Sequence, residues 1–231
     1  MQHDQLLEMR DGVREVEHKC SYRGKRTLDL ILGVAILIIA APLMLVIAAA
    51  IKLTSRGPVL YKQTRVGRNE RPFVFYKFRT MYEGVDHEVH RRYAESFIRN
   101  ELAEQAGDSE RNGAIFKLAG DERITSVGHF LRRSSLDELA QIFNVLKGDM
   151  SLVGPRPALP YELPAYQEWH KQRLAAIPGM TGLWQVRGRC RVPFDEMVRM
   201  DLEYVATQSL WLDLKILLLT APAVISGEGA G

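Results

Sequence analysis

Two cysteines in 231 residues, Cys20 and Cys190, are too few and too isolated for a disulfide framework or a metal motif. A reducing compartment is therefore the expected setting. The six histidines (His3, His18, His87, His90, His129, His170) show no metal-ligand spacing, and His87 and His90 read as exposed positions on a charged helix. A net charge of +3 is too small for the basic field of a nucleic-acid binder, so no nucleic-acid partner is expected. There is no Walker loop, no G-x-S-x-G elbow and no dinucleotide fingerprint. Internal repeats and low-complexity tracts are missing too. No signal peptide is read, because the apolar run starts too late and is too long for one. With 46% hydrophobic and 26% charged residues, the chain is too polar for a polytopic membrane protein. One apolar segment plus a domain of about 170 residues fits, and a domain of that size buries a real core.

What the chain does have is one long apolar run. Leu30 to Ile51 reads LILGVAILIIAAPLMLVIAAAI, 22 residues without a charge. As a helix it extends roughly 33 Å, about the thickness of a bilayer core, which is longer than an uncharged core helix usually runs. Basic residues lie on both flanks: Lys19, Arg23, Lys25 and Arg26 before it, then Lys52, Arg56, Lys62, Arg65 and Arg68 after it. The positive-inside rule scores each flank as cytoplasmic, which a straight span does not satisfy. Pro42 removes a backbone donor and clashes with the preceding turn, which can kink the helix sharply at mid-depth. Locally, a bent helix returning to the same face and an ordinary kinked span both remain open.

The expected organisation is a polar tail over 1–24, a proline-broken membrane helix over 25–53 and a domain over 54–231. VLYKQTRVG (59–67) and PFVFYKFRTM (72–81) read as the two strands of a hairpin, with Lys77 and Arg79 on one face. A charged helix is expected over 86–106 and a loop over 107–113. An apolar stripe (Leu136, Leu139, Ala140, Phe143, Leu146) predicts a helix over 135–147. The Gly/Pro-rich stretch 148–160 holds a short strand. Next come a helix near 162–176 and a glycine-rich loop, PGMTGLWQVRGR (178–189). Two helical patterns close the chain. The second, around Trp211–Leu219, reads as a helix lying on the membrane surface.

Three groups suit phosphate chemistry. Ser135-Leu136-Asp137-Glu138 has the S-x-x-E spacing of a capping box, its ordinary structural explanation. The same helix start is also where phosphate binds, and adjacent acids can divide into nucleophile and metal ligand. In Gly154-Pro155-Arg156-Pro157 two prolines stiffen the backbone around one arginine, which suits either a phosphate clamp or a rigid turn with a solvated arginine. Lys77, Arg79, Arg132 and Arg133 form the third group, with Arg132 about one turn ahead of Asp137. A solvated basic face is the commoner explanation for such a set. None of these signals is specific alone.

Taken jointly, KRTLDL (25–30), the proline-broken helix, SRGPVLYKQTRVG (55–67), FYKFRTM (75–81), DERITSVGHFLRRSSLDELAQIFNVLKGDMSLVGPRP (121–157), PGMTGLWQVRGR and the pattern DLEYV…SLWLDLKIL (201–217) resemble one family. It is the bacterial sugar transferases that prime polysaccharide or glycoconjugate synthesis, the monotopic phosphoglycosyl transferases. The resemblance covers nearly everything from residue 25 onward. It implies an α+β protein: a re-entrant membrane helix, then a small cytoplasmic domain with a short β-hairpin, several helices and amphipathic membrane-surface helices. The implied location is the bacterial inner membrane, with the N-terminus and catalytic domain on the cytoplasmic side.

The implied reaction moves sugar 1-phosphate from a UDP-sugar to undecaprenyl phosphate with Mg2+, releasing UMP. Asp137 matches the family's nucleophile, which forms a covalent phosphosugar-aspartate, and Glu138 its magnesium-binding neighbour, with Asp137 close to the same ion. Arg132 matches a phosphate contact, and Pro155, Arg156 and Pro157 the motif that helps hold the nucleotide-sugar. Lys77 and Arg79 fall in the basic active-site strand. Gln185, Asp201 and Asp213 match further substrate-side positions, and Pro42 the membrane-helix break. Two departures stand out. The break reads Ala41-Pro42 rather than Ser-Pro, and the acidic motif continues Leu139-Ala140-Gln141 where relatives commonly have a proline. Longer relatives carry an extra multi-span region, so the minimal form is expected here. The sugar is expected to be galactose or glucose; membrane lipids are expected partners, and a homodimer is left open. A carboxylate nucleophile fits the physical problem, because it lets a water-soluble and a lipid-bound polyanion visit one site in turn. A direct ternary-complex transferase and a non-catalytic membrane adaptor of a polysaccharide-assembly complex are the competing readings.

Overall fold

The computed structural model describes residues 21–82, 88–99, 123–188 and 192–225. The polar tail through residue 20, the loop expected at 107–113 and both cysteines lie outside them. The apolar run lies inside one 30-residue helix, α1 (Lys25–Thr54), which continues through Pro42, so the expected break into two helices does not occur. Among the described residues this is the one helix long and apolar enough to cross a membrane. Ile31, Ile38, Ile39, Leu45 and Leu53 are bare along its outer face, as a lipid-facing surface requires.

Both ends of α1 are fastened to the same domain. At its start the buried Lys25 ammonium meets Asp213 Oδ2 at 2.6 Å and donates to the carbonyl of Val153 at 3.0 Å and Tyr204 Oη at 3.1 Å. One turn later the Asp29 carboxylate accepts from Ser151 Oγ and the Leu152 N–H. Arg26 donates to the carbonyls of Val145 and Leu146, which end the next helix but two. At the far end Arg79 donates to the carbonyls of Ser55 and Arg56 and to Ser55 Oγ. Met44, Ile47 and Ile51 enter the same hydrophobic core as Phe78, Leu131, Ile142 and Leu152.

The expected hairpin is present. Strands β1 (Leu60–Val66) and β2 (Pro72–Phe78) pair antiparallel, with Tyr61 opposite Lys77 and Arg65 opposite Phe73. Helix α2 (Glu88–Ile98) is the described part of the charged helix. Helix α3 (Ser126–Arg133) is capped by Thr125, whose hydroxyl accepts from the Gly128 N–H. The predicted helix over 135–147 is two pieces: a 3-10 turn, Leu136–Gln141, then α4 (Ile142–Lys147). The buried Asn144 on α4 accepts from the Tyr76 N–H at 3.0 Å and donates to the Val74 carbonyl at 2.6 Å, standing in for a third strand beside β2.

Strand β3 (Ser151–Val153) pairs parallel with β4 (Gly179–Thr181). The helix expected at 162–176 is instead three short turns: Leu163–Ala165, α5 (Glu168–Lys171) and Gln172–Ala175. Pro164 disfavours helix at the residue before it, and Tyr166 is extended, so no helix propagates through this stretch. The glycine-rich loop expected at 178–189 is replaced by β4 and a short helix, α6 (Leu183–Arg187). A Cβ on Gly179 would lie 2.1 Å from the Gly154 backbone nitrogen, so these glycines mark close strand contact rather than looseness. Two helices finish the fold, α7 (Phe194–Thr207) and α8 (Leu210–Ile225). Helix α8 buries Asp213 and Ile216 and leaves Leu210, Trp211, Leu218 and Leu219 outside.

Removing one partner of a buried ion pair strands the other charge, at a cost of about 3 kcal/mol or more. Lys25→Met is therefore expected to lower the thermal and denaturant stability of the detergent-solubilised chain sharply. Adding Asp213→Leu to it should recover part of the loss.

Candidate active site

The site assembles where the hairpin, α3 and the 3-10 turn meet. The period of two puts Tyr61, Arg65, Phe75 and Lys77 on one hairpin face, where Lys77 lies over the Tyr61 ring at 5.6 Å and Arg65 over Phe75 at 5.1 Å. Helix α3 is pressed onto the strand end after β2: a Cβ on Gly128 would sit 2.0 Å from the Thr80 carbonyl oxygen. That approach lets Arg132 Nε donate to Thr80 Oγ1 at 3.1 Å and places its guanidinium beside the hairpin.

The capping box expected at Ser135 and Glu138 does not form. Ser135 is left-handed (φ 55°, ψ 16°), not in the extended region from which an N-cap side chain reaches back to the first turn. Its hydroxyl makes no cap, and neither acid is consumed by one. Asp137 is only 7% exposed and makes no ion pair among the described residues. Burial and then the neighbouring Glu138 raise its pKa to about 6, against the opposing pull of Lys77 and Arg132. Lys77 is displaced the other way, to about 8, by burial first. Asp137 holds it up while Arg132 and Arg65 push it down. Two oppositely charged groups are thus kept out of water near each other without joining in a salt bridge.

Arg65 extends this charged row toward Arg156. Burial and the charge of Arg156 lower the Arg65 pKa to about 10, with Glu162, Tyr161 and Glu138 opposing. Several cations facing a common space cost free energy that a bound anion offsets. The Pro155-Arg156-Pro157 loop is rigid for a reason beyond its prolines, because each of four successive carbonyls has a donor. Pro155 accepts from the Gly179 N–H at 2.8 Å, Arg156 from Arg173 at 3.4 Å, Pro157 from Arg65 at 3.1 Å and Ala158 from the Val66 N–H at 2.8 Å. The loop backbone is clamped on that side, and Arg156 itself is an exposed position.

The other predicted site residues lie elsewhere in the network. Arg79 is buried against Ser55 and Arg56 at the end of α1. Asp213 is taken up by Lys25, by Tyr204 at 2.7 Å and by Tyr22 at 2.9 Å. Asp201, fully buried, pairs with Arg173; burial still lifts its pKa to about 6 despite that partner. Asp201 thereby holds the arginine that reaches the Arg156 carbonyl. Gln185 sits on α6 with its side-chain oxygen buried and unpartnered among the described residues. Sequence reasoning counted Arg65 only as a flanking charge and passed over Tyr61, Tyr161 and Arg173. The strand register would have found Arg65 and Tyr61, since both share the face of Lys77.

No group of three or more histidine, cysteine, aspartate or glutamate side chains meets among the described residues. Asp137 and Glu138 nevertheless suit Mg2+, which commonly takes one or two protein carboxylates and completes its shell with water and phosphate oxygens. The repulsion between the two acids, which helps raise Asp137, is what a divalent cation would relieve.

These features define a class: a domain anchored by an apolar helix, with a buried carboxylate facing lysine and arginine side chains from separate elements. The chain belongs to the bacterial sugar transferase family, whose model matches residues 20–227. It is similar to the undecaprenyl-phosphate galactose phosphotransferase of Salmonella typhimurium, 46% identical over 206 residues, 89% of this chain and 41% of that protein. CpsE, a galactosyl transferase of Streptococcus agalactiae, is 42% identical over 90% of this chain and 43% of its own length. The exopolysaccharide production protein ExoY of Rhizobium meliloti is 40% identical over 90% of this chain and 88% of its own length. The chain thus spans less than half of the longer relatives and most of the shorter one.

The raised pKa of Asp137 carries a stability consequence. Its folded value of about 6 lies above the ordinary 3.8, so above pH 6 the folded state bears a buried charge that the unfolded state solvates freely. Asp137→Asn is expected to be the more stable protein at pH 7.5 in metal-free buffer, by on the order of 2 kcal/mol. The advantage should shrink between pH 6 and 4 and vanish below, as read from thermal melts of both proteins across that range.

Proposed function

We propose that this chain transfers sugar 1-phosphate from a UDP-sugar to undecaprenyl phosphate, through a covalent intermediate on Asp137. The observation that carries the reading is the Asp137 carboxylate itself, buried beside Lys77 and Arg132 and, among the described residues, used by neither a helix cap nor an ion pair. The names of three relatives agree on the chemistry. Besides the Salmonella protein, they are the UDP-galactose-lipid carrier transferase of Erwinia amylovora and the UDP-glucose:undecaprenyl-phosphate glucose-1-phosphate transferase of Caulobacter vibrioides. Galactose and glucose are accordingly the sugars proposed.

In the first half-reaction an Asp137 oxygen attacks the β-phosphorus of the UDP-sugar. The bond from that phosphorus to the bridging oxygen breaks, and UMP leaves with the electron pair. In the second, an oxygen of the lipid phosphate attacks the same phosphorus and expels the Asp137 carboxylate, which completes the lipid-linked diphosphate sugar. Lys77, Arg132, Arg65 and Arg156 offset charge on the transferring and leaving phosphates. Mg2+ held by Asp137 and Glu138 would supply further neutralisation of the phosphate oxygens. Dividing the transfer in two keeps the two polyanionic substrates from having to crowd the site together.

The same reading makes α1 re-entrant and the domain cytoplasmic. Lys25 and Asp29 at one end and Ser55 and Arg56 at the other all bind one domain. A helix crossing the bilayer core separates its ends by about 30 Å on opposite sides.

Mixing purified enzyme with a UDP-sugar and Mg2+ before any lipid is added should release UMP in amounts stoichiometric with enzyme. Asp137→Asn should abolish that release while membrane insertion survives; an active Asp137→Asn enzyme, or no burst, defeats the covalent route. With Mg2+ present, turnover should rise with pH as Asp137 ionises, below about 6 because the cation favours the charged carboxylate, and fall through about 8 as Lys77 loses its proton. Lys77→Arg should move the alkaline limb upward. For topology, Cys20 in a Cys190→Ser background should react with impermeant maleimide only from the cytoplasmic side of vesicles. Labelling from the outside alone would mean that the helix spans.

A further inference from the structure

Among the described residues β2 belongs to a sheet of two strands, with β1 along one edge only. A two-stranded hairpin is marginal by itself, and its other edge leaves backbone groups that must be satisfied from outside the sheet. On that edge the Asn144 side chain takes the place of a neighbouring strand. Its Oδ1 accepts from the Tyr76 N–H at 3.0 Å and its Nδ2 donates to the Val74 carbonyl at 2.6 Å. Asparagine suits this place because its amide carries an acceptor and a donor side by side in one plane, as a peptide group does. Its two partners also fix which way the amide points, since an N–H needs the oxygen and a carbonyl needs the nitrogen.

Asn144 is itself held firmly. It is fully buried, and its own carbonyl accepts from the Gly148 N–H at 3.0 Å and the Met150 N–H at 3.2 Å. Helix α4, which carries it, is the direct continuation of the 3-10 turn Leu136–Gln141 that carries Asp137. At the other end of the contact, Lys77 is the residue that follows Tyr76. A short closed path therefore runs from Asp137 through its turn and α4 to Asn144, and across two hydrogen bonds to the strand that bears Lys77. Lys77 and Asp137 act on each other by charge without an ion pair among the described residues, so their separation is set by the backbones that carry them. Lys147, further along α4, also reaches the Tyr76 hydroxyl at 2.8 Å, but that contact lies open to water and holds only a side chain.

Building on the proposed transfer reading, we propose that Asn144 is a positioning residue for that reaction, setting the place of Lys77 relative to Asp137 through the backbone of β2. It touches no reacting atom. A lysine that stabilises charge on a transferring phosphate must stand in place before the reaction, because moving it during the step would cost part of what it supplies. Reactive groups need to be held to within about half an ångström, and a residue locked by burial and two hydrogen bonds supplies that precision where a water molecule on the strand edge would not. Without Asn144 the Tyr76 N–H and the Val74 carbonyl must find other partners, and the strand shifts to reach them.

A double-mutant cycle on the first half-reaction tests this: UMP released in a single turnover from UDP-galactose or UDP-glucose by the full chain in nanodiscs with Mg2+. Asn144→Leu has nearly the same volume and makes neither hydrogen bond. It should slow release on the order of 30-fold, with the half-saturating UDP-sugar concentration changed by less than about twofold. Lys77→Met alone should slow release at least as much. Adding Asn144→Leu to Lys77→Met should then cost less than about twofold more, because the group that Asn144 positions is already gone. Asn144→Asp keeps the shape and the acceptor for Tyr76 but turns a carboxylate oxygen toward the Val74 carbonyl. Its cycle decides the matter if Asn144→Leu fails to fold. An equal loss in both backgrounds, or release at the wild-type rate from the folded variants, overturns the role of Asn144 and leaves the transferase reading standing. A wild-type chain that releases no UMP from any UDP-sugar sinks the transferase reading, and this proposal with it.

Discussion

Keeping a carboxylate charged but out of water, beside cations that do not neutralise it outright, is the constraint on which the rest of this structure depends. Burial alone would protonate Asp137, and a direct salt bridge would occupy it. The fold takes neither course. Lys77 and Arg132 come from different elements and act on Asp137 from positions fixed by other contacts: Arg132 by Thr80, and β2 by Asn144. Ser135 in the left-handed region has the same effect by local means, since it denies the helix start the cap that would have absorbed Glu138.

The ionic residues divide by whether their charge is already matched. Lys25 with Asp213, and Arg173 with Asp201, form buried ion pairs, and Arg79 donates to carbonyls at the end of α1. These groups hold elements together. Asp137, Lys77 and Arg65 lack such matching among the described residues, and their pKa values are displaced in the directions that burial dictates. Desolvated charge without a closed partner is destabilising, and sites that must receive a charged ligand are where proteins tolerate it. The matched set also serves the unmatched one. Asp201 fixes Arg173, which helps fix the Arg156 loop, and Lys25 with Asp213 fixes the start of the helix above it.

The hairpin, the apolar helix and the two closing helices were legible because each rests on a period or a length. The acids and the Pro-Arg-Pro loop were legible as chemistry, though one at a time each had an ordinary structural explanation. Three local readings failed for identifiable reasons. The Ser135 capping box assumed an extended N-cap. The helix over 162–176 ignored what Pro164 does to its neighbours. The glycines of 178–189 read as looseness, whereas Gly179 is there because the Gly154 backbone leaves no room for a side chain.

The sequence by itself determined that an uncharged 22-residue segment needs an apolar surrounding, that two strands meet at Gly67–Arg71, and which residue types are available for phosphate chemistry. Those properties follow from hydrophobicity, side-chain period and functional group, which are local. Only the tertiary structure decided which charges meet. Lys25 and Asp213 are 188 residues apart, and Arg65 reaches Pro157 across 92. Whether a carboxylate is a cap, half of an ion pair or a buried reactive group depends on the solvent and the partners brought to it, and chain distance specifies neither.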